Sequence, residues 1–186
     1  MPKIYLGLGS NQGDRLKNCR EALRRLKGGG EVCLLRSSSA YETEPVGEGL
    51  RGWFINAVVE AETDLDPTSL LQRLQQIEEE MGRKRERPGS DRPIDLDLLL
   101  YGDLFLESDQ LTIPHPRLHA RRFVLEPLSE LVPHQIHPRL GKTVRALLAE
   151  LKDVHRVRRM KTSPLQGESE EEGRGVRSAA LEGGAG

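Results

Sequence analysis

The order of periodic segments constrains the fold of this chain more than any other feature. Alternating or consecutive apolar and β-branched side chains predict four strands, at residues 2–8, 31–38, 53–62 and 94–101. Apolar residues at helical spacing predict two helices, at residues 15–27 and 67–81. Asp14 and Asp66 precede these helices and are suited to capping their N-termini. The predicted order is therefore βαββαβ.

This order is that of a ferredoxin-like α+β sandwich with an antiparallel sheet. C-terminal additions follow: a proline-punctuated stretch at 113–138 and a last helix near 143–151. We interpret the basic run at 156–161 as the end of a helix. Because the fold serves many unrelated functions, the function must be argued from individual residues.

Length and composition predict one domain followed by a tail. A chain of 186 residues suits a single core, whereas two domains would each be short of apolar residues. We expect the domain to span residues 1–160 and a tail rich in Gly and Glu to span 161–186. From residue 167 onward the tail has five acids and two bases and is expected to be disordered.

Several classes of protein are disfavoured by composition. The chain lacks a run of roughly 18 apolar residues and an export signal, so we expect a cytoplasmic protein with no membrane partner. Cys19 and Cys33 are too few for a disulfide scaffold or a zinc site, and we interpret both as small apolar residues. A net charge of −1 offers no global attraction for nucleic acid.

Two aspartates in the fourth predicted strand are the sharpest chemical feature. In a strand, Asp95 and Asp97 point to the same face, roughly 6–7 Å apart. Carboxylates this close repel each other unless a cation compensates. A divalent ion such as Mg²⁺ would do so and would keep positions free for phosphate. A solvated sheet face paired with arginine would do so equally well.

The basic loop, residues 83–92, lies just before these aspartates and has five bases and two acids. Next to an acid pair that could hold metal, such a loop favours polyphosphate transfer, since guanidinium groups stabilise charge on the transferring group. His115, between Pro114 and Pro116, could donate to a phosphate oxygen or be a surface histidine. The glycine-rich segment at 7–14 lacks phosphate-loop spacing, so a tight turn and helix cap are favoured there.

Taken together, six motifs resemble those of the 6-hydroxymethyl-7,8-dihydropterin pyrophosphokinase family, in chain order from about residue 3 to 139. They are Gly-Leu-Gly-Ser-Asn-Gln-Gly-Asp at 7–14, Thr-Glu-Pro-Val-Gly at 43–47, Phe-Ile-Asn-Ala-Val at 54–58, Glu78 with Gly82-Arg83, Arg-Pro-Ile-Asp-Leu-Asp at 92–97, and Pro-His-Pro-Arg at 114–117 followed by Arg121 and Phe123. The resemblance implies transfer of the β,γ-diphosphate of ATP to the hydroxymethyl oxygen of a dihydropterin, with release of AMP, in folate synthesis.

The resemblance also implies site residues. Asp95 and Asp97 would hold two Mg²⁺ ions, with Asp95 close to the attacking hydroxyl, while Arg83 and Arg92 would close over the phosphates as catalytic groups. The implied pterin site, with the phenylalanines stacked on the ring, consists of Thr43, Pro45, Val46, Phe54, Asn56 and Phe123. The implied ATP site consists of Leu71, Gln75, Glu78, Arg83, Arg92, Leu98, Thr112, His115 and Arg121. A monomer is implied, with ATP and the dihydropterin as its partners and no nucleic acid.

The chain departs from the family pattern in two places on the nucleotide side. The basic loop lacks the tryptophan that usually precedes the acid pair, and Pro116 stands where an aromatic residue often lies. Two other classes stay open. A ferredoxin-like nucleic-acid-binding module would use the basic loop and residues 152–161, although only 4% of residues are aromatic. A metal-dependent nucleotidyltransferase would use the same aspartates but release pyrophosphate.

Overall fold

The computed structural model describes residues 1–46, 52–83 and 90–166. Within these ranges the strands are β1 (Lys3–Ser10), β2 (Val32–Ser37), β3 (Tyr41–Thr43), β4 (Phe54–Thr63), β5 (Asp95–Tyr101), β6 (Leu106–Glu107), β7 (Thr112–Ile113) and β8 (Val157–Arg159). The α-helices are α1 (Arg15–Gly28), α2 (Pro67–Glu80), α3 (Arg122–Leu131) and α4 (Val144–Glu150), and a 3₁₀ turn spans Leu118–Ala120.

The main sheet is built around β4, and each strand beside it runs antiparallel to it. β1 pairs along one edge, from Lys3 opposite Glu62 to Ser10 opposite Ile55, and β5 lies beyond β1. On the other edge, β2 pairs with the second half of β4 and β3 with the first half, while β8 lies beyond β3. The order β5-β1-β4, with β2 next to β4, confirms the predicted ferredoxin-like antiparallel sheet.

The two faces of the sheet pack against different helices because side chains alternate along each strand. Leu6 of β1 belongs to the cluster that contains Leu23 of α1 and Leu74 of α2. Tyr5 points the other way and joins the cluster that contains Leu125 of α3. Beyond Tyr5, this second face continues with glycines in β1, and it is there that the sheet leaves room for a cavity.

The helices predicted at 15–27 and 67–81 and their aspartate caps are confirmed. Asp14 accepts a hydrogen bond from the Lys17 amide at 3.0 Å, and Asp66 accepts from the Thr68 and Ser69 amides. Gly13, with a φ of 60°, makes the turn before α1. The glycine-rich segment is therefore the end of a strand, a turn and a cap, as predicted.

The interpretation of residues 156–161 as the end of a helix is wrong. Residues 157–159 form β8, which pairs antiparallel with β3 and places Arg159 opposite Tyr41. The free edge of β3 supplies the hydrogen-bond partners that these polar residues lack locally. The proline-punctuated stretch also contains a helix, α3, with Pro127 inside it; burial of Leu125 and Leu128 outweighs the lost backbone bond.

The two cysteines differ in burial. Cys19 is buried as predicted, and burial raises the pKa of its thiol to about 12. Cys33 is exposed, so its interpretation as a packed apolar residue is wrong; it alternates with the buried Val32 along β2.

In the described ranges, no helix has the length and apolarity needed to cross a bilayer. Residues 84–89 of the basic loop and 167–186 of the tail lie outside the described residues.

Candidate active site

A cavity opens on the α3 side of the sheet, at the end where β1 has glycines. Its walls come from four strands and the start of α3. The lining side chains and glycines include Gly7, Gly9, Thr43, Glu44, Val46, Phe54, Asn56, Arg92, Asp95, Asp97, Arg121 and Phe123.

One end of the cavity is acidic. Asp95 and Asp97 both line it, as the period-two pattern of their strand predicted, and lie opposite Gly9 and Gly7 of β1. The intervening Leu96 is buried in the core on the other face of the sheet. The aspartates therefore stand over a floor without side chains, where a ligand can reach them.

Two arginines neutralise Asp95 in this structure. Arg83 Nη1 lies 2.5 Å from Asp95 Oδ1, and Arg92 Nη2 lies 2.9 Å from Asp95 Oδ2. Each carboxylate oxygen thus forms an ion pair with a different guanidinium group. Of the two ways in which the charge of the aspartates could be compensated, pairing with arginine is the one observed at Asp95. Asp97 forms no hydrogen bond with an arginine in the described part of the chain.

Glu78 holds Arg83 in place. The Glu78 side chain is buried, and its Oε1 accepts a hydrogen bond from the Leu96 amide at 2.7 Å and another from Arg83. This carboxylate joins the end of α2 to β5 and directs the guanidinium group of Arg83 toward Asp95. Its observed contacts are those of a residue that orients Arg83.

The charge states of Asp97 and His115 are both shifted. Burial, with the charge of Asp95 adding to it, raises the pKa of Asp97 to about 6. Burial, assisted by Arg121 and Arg117, lowers the pKa of His115 to about 4. His115 Nδ1 accepts from the Arg117 amide at 3.2 Å, which leaves the proton on Nε2, 4.0 Å from Asp97 Oδ1. A neutral N–H donor therefore faces the acidic end of the cavity.

A second part of the lining, the aromatic end, adjoins the acidic one, since Phe54 Cδ1 and Asp95 Cβ lie 3.7 and 3.8 Å from the position of a Cβ built at Gly9. Phe54 of β4 and Phe123 of α3 line it, and each has an arginine over its ring: Arg92 lies 5.4 Å from the centroid of Phe54, and Arg121 lies 5.3 Å from that of Phe123. Asn56 lines the same end. Apolar rings beside a buried amide suit a flat heteroaromatic ligand.

Not every predicted site residue reaches the cavity. Pro45 lies between two lining residues but is not itself part of the lining, and Leu98 is buried in the core on the opposite face. Glu78, Arg83 and His115 are connected to the acidic end through their contacts with it. The remaining predicted nucleotide-site residues, which are half-buried outside the lining, are Leu71, Gln75 and Thr112.

Two residues inside the quoted motifs make contacts that the sequence did not predict. Glu44 lines the cavity although only its neighbours were singled out. Asn11 fixes the C-terminal end of the basic loop. Its Oδ1 accepts a hydrogen bond from the Arg92 amide at 2.8 Å, and its Nδ2 donates one to Asp91 at 2.6 Å. Both roles depend on contacts between distant parts of the chain, and the only local signal was the position of these residues within the motifs.

The fold and the cavity define a class of protein. Acidic groups with arginines at one end are what phosphoryl transfer requires, and the aromatic end suits a flat ring as the acceptor. The sequence model of the family described as 7,8-dihydro-6-hydroxymethylpterin-pyrophosphokinase (HPPK) matches residues 5–133. The chain belongs to this family.

Individual relatives agree with this assignment. The chain is 46% identical over 127 residues to the 2-amino-4-hydroxy-6-hydroxymethyldihydropteridine pyrophosphokinase of Bacillus subtilis (strain 168), covering 68% of this chain and 76% of the relative. It is 48% identical over 130 residues to the mitochondrial folate synthesis bifunctional protein of Arabidopsis thaliana, covering 70% of this chain and 23% of that protein.

Solved structures show the same fold. One described as "HPPK-DHPS in complex with substrates" superposes with a TM-score of 0.63 at 16% identity, covering 80% of this chain and 43% of that one. The chain thus spans less than a quarter of the plant protein and less than half of this solved structure.

Proposed function

We propose that this chain transfers the β,γ-diphosphate of ATP to the hydroxymethyl oxygen of 6-hydroxymethyl-7,8-dihydropterin, giving AMP and the dihydropterin diphosphate, in folate biosynthesis. The observation that carries the proposal is that Asp95 and Asp97 line the same cavity as Phe54 and Phe123. A ring held between the phenylalanines would present its hydroxymethyl group to the acidic end. The family supplies the reaction class.

The pterin would bind at the aromatic end. Asn56 Nδ2 donates to Thr43 Oγ1 at 2.6 Å, which fixes the amide and leaves Asn56 Oδ1 to accept from ring N–H groups. Phe54 and Phe123 would stack on the two faces of the ring. The adjoining wall would come from the segment that contains Pro45 and Val46.

ATP would place its phosphates at the acidic end. Arg83, Arg92, Arg121 and His115 would donate to phosphate oxygens, and Arg83 and Arg92 would exchange Asp95 for phosphate as the nucleotide binds. Leu71, Gln75, Glu78, Leu98 and Thr112 are proposed on the nucleotide side. Since the Leu98 side chain lies in the core, only its main chain could contribute.

The residues present suit Mg²⁺. Asp95 and Asp97 offer hard carboxylate oxygens to one cavity, and Asp97 forms no hydrogen bond with a described arginine. We propose that these two residues hold two Mg²⁺ ions when ATP is bound. Bound magnesium would supply positive charge that stabilises the transferring phosphates.

The proposed step is an in-line displacement. The hydroxymethyl oxygen forms a bond to the β-phosphorus while the bond from the β-phosphorus to the oxygen that bridges to the α-phosphate breaks, so that AMP leaves. Asp95 is proposed to lie close to the hydroxyl and to take its proton. The chain is proposed to act as a cytoplasmic monomer on these two substrates, without nucleic-acid or membrane partners.

Isothermal titration calorimetry with 6-hydroxymethyl-7,8-dihydropterin and α,β-methylene-ATP, with and without Mg²⁺, tests the proposal. We expect Mg²⁺-dependent nucleotide binding and binding of the dihydropterin, with nucleotide binding lost in Asp97→Ala. Lys142→Ala, which removes a surface ion pair to Glu150, is the control and should bind both ligands normally. Failure of both ligands to bind the unmodified chain would overturn the proposal and favour nucleic-acid binding, measured as salt-dependent RNA affinity.

A further inference from the structure

A C-terminal strap, residues 153–159, lies outside the part of the chain that the family sequence matches, which ends at residue 133. It includes β8, and through β8 it adds the last strand to the β3 edge of the sheet. Its side chains also reach two different walls of the cavity. The strap also follows the last of the six motifs, which ends at Phe123.

Arg156 attaches the strap to the strand wall. Its Nη2 lies 2.8 Å from Glu44 Oε1, its amide donates to Glu44 Oε2 at 3.0 Å, and its carbonyl accepts from the Glu44 amide at 3.0 Å. The same guanidinium group lies 5.2 Å from the centroid of the Trp53 ring. Glu44 lines the cavity beside Thr43, and Trp53 directly precedes Phe54. Arg156 thus fixes the neighbours of two proposed pterin contacts.

Asp153 attaches the strap to the helix wall. Its Oδ2 accepts from the Arg122 amide at 2.9 Å, and its carbonyl accepts from Arg122 Nε at 3.1 Å. Arg121, at the start of α3, makes no side-chain cap, so Asp153 provides one from elsewhere in the chain. Arg122 lies between Arg121 and Phe123, which both line the cavity.

We propose that the strap sets the separation of the two walls between which the pterin would stack, with Asp153 and Arg156 as positioning residues; this inference rests on the proposed function. An exposed ion pair alone contributes little. Here the Arg156 side chain combines an ion pair with Glu44 and a contact with the Trp53 ring. Its removal should loosen the wall without unfolding the domain, because the two hydrogen bonds between the Arg156 main chain and Glu44 do not need that side chain.

The test compares Arg156→Ala with Arg158→Ala in the full chain. Both arginines are exposed and pair with a glutamate of the β3 segment, but Glu42, the partner of Arg158, does not line the cavity. With Mg²⁺ and α,β-methylene-ATP present, Arg156→Ala should weaken dihydropterin binding about fivefold, while Arg158→Ala changes it less than about twofold. The KM for ATP should change less than about twofold in both variants.

Further variants show whether Arg156 acts through Glu44. Combining Arg156→Ala with Glu44→Ala should weaken dihydropterin binding no more than Glu44→Ala alone, and Arg156→Lys should restore part of the affinity. Three results would overturn the inference while leaving the proposed function intact. Arg156→Ala and Arg158→Ala could weaken dihydropterin binding equally, or Arg156→Ala and Glu44→Ala could weaken it additively. Arg156→Ala could also raise the KM for ATP as much as it weakens dihydropterin binding. An unmodified chain that neither binds the dihydropterin nor forms AMP would overturn both.

Discussion

Gly9 and Asn56 lie opposite each other in the pairing of β1 with β4, and a Cβ added at Gly9 would come within 2.8 Å of Asn56 Oδ1. That distance is well inside normal van der Waals contact. The observed position of the Asn56 amide therefore requires that residue 9 have no side chain. The same oxygen is the acceptor proposed for the pterin ring. A glycine at this point of β1 therefore preserves both the floor of the cavity and the orientation of its amide.

We expect Gly9→Ala to displace the Asn56 amide and weaken dihydropterin binding at least about tenfold, the loss of one or more buried hydrogen bonds. Nucleotide binding should change little, because the arginines and Asp97 are not displaced. Calorimetric titration of each ligand measures both effects. Gly28→Ala, where a Cβ meets nothing within 4 Å, is the control. Equal dihydropterin affinity in Gly9→Ala and the unmodified chain would contradict the role of Asn56.

Asp97 should reduce stability in the absence of ligands. Its folded-state pKa of about 6 lies above the usual 3.8, so the folded protein holds a proton that the unfolded chain releases, and stability falls as pH rises between these values. Asp97→Asn removes the charge that the site disfavours. At pH 7.5 we expect the free energy of unfolding of Asp97→Asn to be about 1 kcal/mol higher than that of the unmodified protein. This gain in stability should shrink toward pH 4.

Urea unfolding at both pH values, without metal or nucleotide, measures this difference. Asp64→Asn, at an exposed residue outside the cavity, serves as the comparison. A stability gain of Asp97→Asn that is the same at pH 4 and pH 7.5 would show that the gain has another cause.

Arg92 should matter more for turnover than for ATP affinity. It contacts Asp95 and lies over the ring of Phe54, so it connects the two ends of the cavity. Replacing it with alanine should lower kcat about 100-fold, typical for loss of a group that stabilises transition-state charge, with a much smaller change in the KM for ATP. Arg92→Lys should give an intermediate kcat. Steady-state kinetics decide, and an unchanged kcat would remove Arg92 from the mechanism.

His115 should remain neutral across the physiological range. Because its pKa is lowered to about 4, its ring signals in NMR spectra should not titrate between pH 5.5 and 8 in the ligand-free protein. The signals are assigned by their absence in His115→Gln. Its contribution to stability is present above the unfolded pKa of about 6.5 and is lost as pH falls toward 4. A titration midpoint near 6.5 would contradict the burial of this ring.

The parts of the fold that sequence periodicity predicted are those whose signal is local. α1 and α2 have apolar stripes and aspartate caps within their own segments, and β5 shows its alternation directly. By contrast, β3 and β8 have three residues each, too few for a periodic pattern. β3 is paired on both sides, with β4 and with β8, and β8 is a strand through its pairing with β3. The pairing of β3 with β8 joins residues more than 100 positions apart and leaves no local trace.

The site divides in the same way. The common face of Asp95 and Asp97 follows from the period of a strand, and the structure confirms it. The contacts of Arg83 with Glu78 and Asp95 depend on how the end of α2 meets β5, which no local pattern specifies. Periodicity did not predict α3, but the motif resemblance did identify Arg121 and Phe123, at the start of that helix, as site residues. Both line the cavity.

Identification of the reaction products tests the proposed diphosphate transfer. The full chain is incubated with Mg²⁺, ATP and 6-hydroxymethyl-7,8-dihydropterin, and the phosphorus-containing products are resolved by ³¹P NMR. We expect AMP and the dihydropterin diphosphate in equal amounts, formed only when both substrates and Mg²⁺ are present and absent with Asp97→Ala. Release of pyrophosphate would indicate nucleotidyl transfer instead, and formation of ADP, or of no product, would contradict diphosphate transfer by this chain.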